Sequence, residues 1–81
     1  MGPDAISFLT PTIGRCYSSG SFGHAWSVRR ILALDPALDT VTCKIVAGPG
    51  RRRTETMTRA EFERWARYEV VQEESEWVRV G

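Results

Sequence analysis

The alternating run TVTCKIVA, residues 40–47, constrains the fold more than any other feature of this sequence. Its odd-numbered residues are all apolar and its even-numbered residues are mostly polar, which is typical of a strand with one buried face. The run from Trp26 to Leu34 is the longest apolar and β-branched stretch, and the turn DPALD joins it to the first. The two runs therefore predict a β-hairpin. A break in the alternation at Arg30 predicts a bulge near Arg29–Arg30.

Further strands are expected on both sides of this hairpin. A short first strand is predicted from Ile13 to Ser18, and a last one from about Trp77 to Val80. The polar run RRRTETMT, residues 51–58, follows the turn GPG and is typical of a short edge strand. These segments predict a sheet built from neighbouring, turn-connected strands.

One short helix is predicted before the last strand. Thr58 and Glu61 form a capping box, in which each side chain bonds the backbone N–H of the other residue. Phe62 and Trp65 begin an apolar stripe at helical spacing. We therefore expect a helix over about residues 59–67, with its stripe packed on the sheet.

The order of these elements predicts a mainly β fold with one short helix. A chain of 81 residues forms one domain, with an expected leader over residues 1–12 and a folded unit over residues 13–81. Consecutive turn-separated strands favour a meander over parallel βαβ units. The expected architecture is a partly open, five-stranded antiparallel barrel of the SH3-like type. An α+β two-layer sandwich, with the helix across a flat sheet, is the alternative.

Three stretches carry a resemblance to known proteins: GRCYSSGSFGHAWSVRRIL, TVTCKIVAGPG and TRAEFERWA. Together they resemble small uncharacterised bacterial proteins of the kind carried on mobile elements and gene cassettes, many of which adopt SH3-like barrels. The resemblance covers about residues 13–80 and involves turn and core residues. It implies the barrel fold and brings no known active site.

Composition excludes several classes of protein. A hydrophobic content of 42% and a charged content of 26% are ordinary globular values, which excludes a disordered chain. No apolar run approaches the ~18 residues that span a bilayer, and we expect no signal peptide, so a cytoplasmic protein is predicted. Cys16 and Cys43 lack the paired short spacing of a zinc site. They are expected as free core thiols, with no metal and no other cofactor.

The stretch YSSGSFGHAW, residues 17–26, contains two glycines, three serines, three aromatic residues and the single histidine. It lacks the third glycine and the following Lys of a phosphate-binding loop. His24 is a possible general base, but no second histidine and no carboxylate nearer than Asp35 support it. A glycine-containing hairpin turn is the favoured interpretation, and we assign no catalytic residue.

Aromatic residues form the first candidate binding surface. Tyr17 and Phe22 fall close together around this turn and could form an exposed rim, and Trp77 near the end of the chain could join a partner contact. We therefore assign Tyr17, Phe22 and Trp77 as candidate protein-binding residues. The alternative is that these rings belong to the core.

Arginines form the second candidate surface. Residues 1–53 carry seven basic residues against three acidic ones, and residues 54–81 carry four against seven. Arg51, Arg52 and Arg53, joined by Arg29 or Arg30, would make a basic patch for nucleic-acid phosphates. The alternative is a solvated turn whose charge the downstream glutamates balance.

The sequence therefore predicts a small, non-enzymatic interaction module. A protein partner or a second copy of the chain is slightly favoured over nucleic acid, because the net charge is only +1. The short open strand edges expected of such a sheet favour a dimer or larger oligomer. Nucleic-acid binding through the arginines is the alternative function, and a small oligomeric enzyme around His24 is the second alternative.

Overall fold

The computed structural model describes residues 9–20 and 26–80. These residues form six strands and one helix: β1 (Cys16–Ser18), β2 (Val28–Asp35), β3 (Thr40–Ala47), β4 (Thr54–Thr58), α1 (Arg59–Trp65), β5 (Tyr68–Glu73) and β6 (Glu76–Arg79). The prediction of a mainly β fold with one short helix is confirmed. Over these residues, no helix has the length and apolar character needed to cross a membrane.

All six strands belong to one antiparallel sheet with the order β4-β3-β2-β1-β5-β6. Strands β4 and β6 are its two edges, so the sheet is not closed into a barrel within the described residues. The expected five-stranded, SH3-like barrel is therefore corrected to an open sheet of six strands. The additional strand is β5, whose sequence YEVVQE mixes apolar and polar residues on both faces and so shows no clear alternation.

Helix α1 begins where the capping box predicts. The Thr58 hydroxyl accepts a hydrogen bond from the Glu61 backbone N–H at 3.1 Å, and the Glu61 carboxylate accepts one from the Thr58 N–H at 2.9 Å. The helix ends at Trp65, two residues before the expected end, because Ala66 already has extended backbone. Arg67 then donates its backbone N–H to the Ser18 carbonyl at 2.8 Å, which brings the chain into β5 beside β1.

The main core lies on the side of the sheet that α1 covers, which we call the helix face. Phe62 is fully buried there and meets the Tyr17 ring edge-on, with ring centroids 5.3 Å apart. Leu9 also packs on this cluster, so residues 9–12 belong to the folded unit and not to a separate leader. The buried members are Tyr17, Ile31, Val41, Cys43 and Phe62.

The opposite side, which we call the far face, holds a second and smaller cluster. Cys16, Val28 and Val70 are its buried members, and partly buried residues pack against them: Trp26, Val46, Ala47, Tyr68 and Trp77. Strand alternation places Cys16 on the far face and Cys43 on the helix face. Both cysteines are buried and free, as expected.

The pairing of β2 with β3 contains two register shifts. The register moves by one residue after Val28, where β3 supplies the extra residue Val46, and again after Ile31, where β2 supplies Leu32. The first shift lies next to the predicted bulge at Arg29–Arg30, although its extra residue is in β3. Because side chains alternate along β2, Arg29 points to the helix face and Arg30 to the far face.

The turn after β3 approaches the start of β2 closely at Gly48. Its φ is +93°, which favours glycine. A Cβ atom at this position would collide with the Trp26 carbonyl oxygen and the Ser27 Cα. Only glycine therefore lets the two segments approach in this way.

Candidate functional site

Tyr17 is a core residue. Its side chain is 1% exposed, its hydroxyl donates to the Thr10 carbonyl at 3.0 Å, and the same hydroxyl accepts from the Thr12 backbone N–H at 3.1 Å. These bonds tie residues 10–12 to the helix face. The assignment of Tyr17 to a protein-binding surface is corrected, because a side chain buried to this degree cannot contact a partner.

The other two candidate protein-binding residues are not brought together with Tyr17. Phe22 lies outside the described residues, as does His24. Trp77 lies opposite Gln72 in the β5–β6 pair and packs, half-buried, on the far-face cluster. Tyr17 and Trp77 therefore lie on opposite faces and cannot form one surface.

Arg29 has a structural role on the helix face. Its Nη1 lies 3.2 Å from Glu55 Oε1, its Cζ lies 4.4 Å from the centre of the Trp65 ring, and its side chain is 17% exposed. A guanidinium held by a carboxylate and an aromatic ring is not free to bind phosphate. Arg29 is therefore removed from the candidate nucleic-acid residues.

Arg30 is exposed and lies in a line of paired residues that crosses the far face. The register places it opposite Lys44 in β3 and opposite Cys16 in β1. Cys16 in turn lies opposite Val70 in β5, and Val70 opposite Arg79 in β6. Three cations, Arg30, Lys44 and Arg79, thus share one line, which we call the cationic row. Neighbouring strands are about 5 Å apart, so the row spans about 19 Å from β3 to β6.

Strand carboxylates near this row lie on the other face. Side-chain alternation places four of them on the helix face: Glu55, Glu69, Glu73 and Glu76. Arg29 and Arg15 pair with two of these at 3.2 and 3.5 Å. Arg30 and Lys44 form no ion pair with any described residue. The two faces of the sheet therefore differ in charge, which the net charge of +1 conceals.

The arginine run forms the turn between β3 and β4. Arg51, Arg52 and Arg53 are all exposed, and the first two line a shallow groove together with Lys44. The structure thus links Arg30 to two of the three predicted arginines through Lys44, which the sequence-based assignment omitted. The alternation of TVTCKIVA was the available signal, because it places Lys44 on the face opposite Val41, Cys43 and Ile45.

A groove of about 320 Å³ lies beside Arg30 on the far face. Cys16 and Val70, the two apolar members of the line between Arg30 and Arg79, form its floor. Arg30 bounds it on the β2 side, and Gln72 and Trp77 bound it on the β5–β6 side. We call it the Trp77 groove. Its lining combines the Trp77 ring and these apolar residues with the Arg30 cation and with the ion pair of Arg15 and Glu69, whose side chains are 3.5 Å apart.

Two pKa shifts have structural causes. Burial raises the pKa of the Cys43 thiol above its ordinary value of 9.0, although the neighbouring Arg29 acts in the opposite direction. Hydrogen bonds from the backbone and side chain of Thr58 hold the pKa of Glu61 below its ordinary value of 4.5. The raised pKa keeps the Cys43 thiol protonated at neutral pH, and the lowered pKa keeps Glu61 ionised, which strengthens the helix cap.

Among residues 9–20 and 26–80, no three His, Cys, Asp or Glu side chains are grouped so that they could hold a metal ion. The cationic row and the Trp77 groove are the features that suggest a function. Comparisons with protein-family models, curated proteins and solved structures found no match to this chain. The resemblance to small bacterial proteins of mobile elements therefore stays a prediction.

Proposed function

We propose that this chain is a small, non-enzymatic module that binds nucleic acid through the far face of its sheet. One observation carries the proposal: Arg30 and Lys44 lie side by side, exposed and without a carboxylate partner among the described residues. Arg51 and Arg52 extend this charge at the β3–β4 turn. Clustered Lys and Arg side chains neutralise phosphates and release counterions, which supplies the main free energy of non-specific nucleic-acid binding.

The shape of the far face supports the same conclusion. Helix α1 covers the opposite side of the sheet, so no described helix obstructs the cationic row. Arg79 lies at the β6 end of the row, with its guanidinium 4.7 Å from the centre of the Tyr68 ring. A polyanion lying along the row would meet cations at both ends. This arrangement favours an extended partner over a compact one.

The proposal reverses the preference for a protein partner that the sequence suggested. That preference drew on Tyr17, Phe22 and Trp77 as candidate contact residues, and Tyr17 is buried on the opposite face from Trp77. It depended also on the near-neutral net charge. Segregation of charge between the faces lets a protein of net charge +1 present a cationic surface.

A binding role also fits the nucleophilic side chains that the structure describes. Both thiols are buried, so neither has the exposure of a catalytic cysteine, and burial also raises the pKa of Cys43. The cytoplasmic location expected from the sequence gives such a module access to nucleic acid.

Fluorescence polarisation with a labelled, mixed-sequence 20-nucleotide strand tests the proposal across a series of salt concentrations. We expect salt-sensitive binding whose log–log slope becomes about 1.4 less steep in the double variant Arg30→Ala/Lys44→Ala, because each lost phosphate contact removes about 0.7. The matched control is Arg64→Ala/Arg67→Ala, which removes the same charge from exposed positions outside the far face. Absence of binding at low salt and tens of micromolar protein contradicts the proposal, as does equal behaviour of the two double variants.

A second candidate function is contact with another copy of the chain at the β6 edge. Val71 and Val80 are each 42% exposed on the helix face of the β5–β6 hairpin, where Val78 is half-buried between them. An apolar strip at a free strand edge favours edge-to-edge pairing. Light scattering at high micromolar concentration tests this, with a dimer expected for the unmodified chain and a monomer for Val71→Lys/Val78→Lys. A monomeric unmodified chain excludes this candidate.

A further inference from the structure

We infer that the nucleic acid is single-stranded and that one of its bases stacks on Trp77 in the Trp77 groove. This inference depends on the proposed function, because the groove lies within the same cationic row. The row places Arg30 on one side of the groove floor and Arg79 on the other. A strand crossing this surface would therefore meet a cation, an aromatic pocket and a second cation in succession.

The groove has the size that a single base requires, and the one carboxylate in its lining, Glu69, is paired with Arg15. Its volume of about 320 Å³ is at the lower end of small-ligand sites. Cys16 and Val70 give it an apolar floor, and their burial shows that the floor is part of the packed sheet. A planar, weakly polar base would displace water from this floor.

Trp77 is positioned as a stacking platform. The indole packs on the far-face cluster and is half-buried, so its orientation is set by the sheet and little side-chain entropy remains to be lost on binding. Gln72 lies directly opposite Trp77 and is exposed, and its amide can donate and accept hydrogen bonds at a base edge. Arg30 on the other wall can contact the adjoining phosphate.

This geometry selects a single strand over a duplex. In a duplex each base is stacked on its neighbours and paired at its edge, so neither face is available to an aromatic side chain. The Trp77 ring lies within a groove bounded by Arg30 and Gln72, which an unstacked base can enter. Binding should accordingly depend weakly on sequence, since stacking uses a face that every base has.

The test compares a 20-nucleotide single strand with a duplex of the same sequence, using the full chain at one salt concentration. We expect the single strand to bind at least about 10-fold more tightly, and Trp77→Leu to weaken it by about 5- to 150-fold. Trp77→Phe, which keeps an aromatic ring, is the matched variant and should retain most of the affinity. Circular dichroism and urea midpoints verify that both variants fold.

A measurement on the unmodified chain keeps the inference testable even if Trp77→Leu does not fold. Titration with the single strand should quench tryptophan emission, and Trp77→Phe should lose that quenching. Equal affinity for the duplex, or no effect at Trp77, overturns this inference and leaves the proposed function intact provided that Arg30→Ala/Lys44→Ala still weakens binding. Absence of binding to either nucleic acid overturns both.

Discussion

Replacing Tyr17 with Phe removes one oxygen atom from the helix face and should destabilise the fold without altering the far face. The hydroxyl makes two hydrogen bonds, at 3.0 and 3.1 Å, and each contributes about 0.5–1.5 kcal/mol net. The ring itself stays in its edge-on contact with Phe62, so no cavity forms. We expect the free energy of unfolding to fall by about 1–3 kcal/mol, out of the ~4–12 kcal/mol typical of a domain this size. The melting temperature should fall by roughly 4–24 °C.

Urea unfolding followed by circular dichroism and tryptophan fluorescence measures this loss. The m-value should not change, because Tyr17→Phe leaves the buried surface almost the same. Tyr68→Phe is the matched variant, since the Tyr68 hydroxyl makes a single described bond, to the Gly20 carbonyl at 2.6 Å, and should cost less. Unchanged stability of Tyr17→Phe together with weakened partner binding would refute the core assignment and restore Tyr17 to a binding surface.

Three further predictions concern the helix cap and the close approach at Gly48. Thr58→Ala should lower stability by about 1 kcal/mol in urea unfolding, and a loss indistinguishable from zero contradicts the cap. Because the pKa of Glu61 is lowered in the folded state, its carboxylate stabilises the fold fully above pH 4.5, and this stabilisation is lost as the pH falls through the folded-state pKa. Glu61→Gln should therefore flatten the curve of stability against pH below 4.5. Gly48→Ala should cost about 2 kcal/mol or more, because its Cβ would collide with backbone atoms at positive φ. Gly20→Ala, at φ +147° with open space around its Cβ, should cost less, and equal urea midpoints for the two would contradict the close approach.

Local signals predicted the elements whose causes are local. The strand Thr40–Ala47 has the predicted bounds because apolar and polar residues alternate along it. Helix α1 begins at its predicted residue because the cap at Thr58 is made by side chains three residues apart. β5 was not predicted because it is held by pairing with β1 and β6, and this long-range pairing produces no periodicity in YEVVQE.

The candidate site could be predicted only in part, because it depends on register. Arg29 and Arg30 are chemically identical neighbours, yet one is held beneath Trp65 and the other is exposed on the far face. Alternation along β2 is uninterrupted from Val28 to Ile31 because the extra residue of the first shift lies in β3, and this places Arg29 on the helix face and Arg30 on the far face. Tyr17 shows the same limit. Its place beside a glycine turn suggests exposure, whereas the helix-face cluster, with Phe62 packed against the ring, buries it.

The central position of β1 has a consequence for the order of assembly during translation. This three-residue strand leaves the ribosome before both of its neighbours, but its pairing with β5 joins residues 54 positions apart, such as Cys16 and Val70. The β2–β3–β4 meander has mostly local contacts and can form while the rest of the chain is still being made. Joining it to the β5–β6 hairpin requires closure of a long loop, and only three residues of β1 bridge the two parts. The nascent chain should therefore carry an unpaired edge at β1 until β5 emerges, and the final folding step should be the docking of the hairpin there.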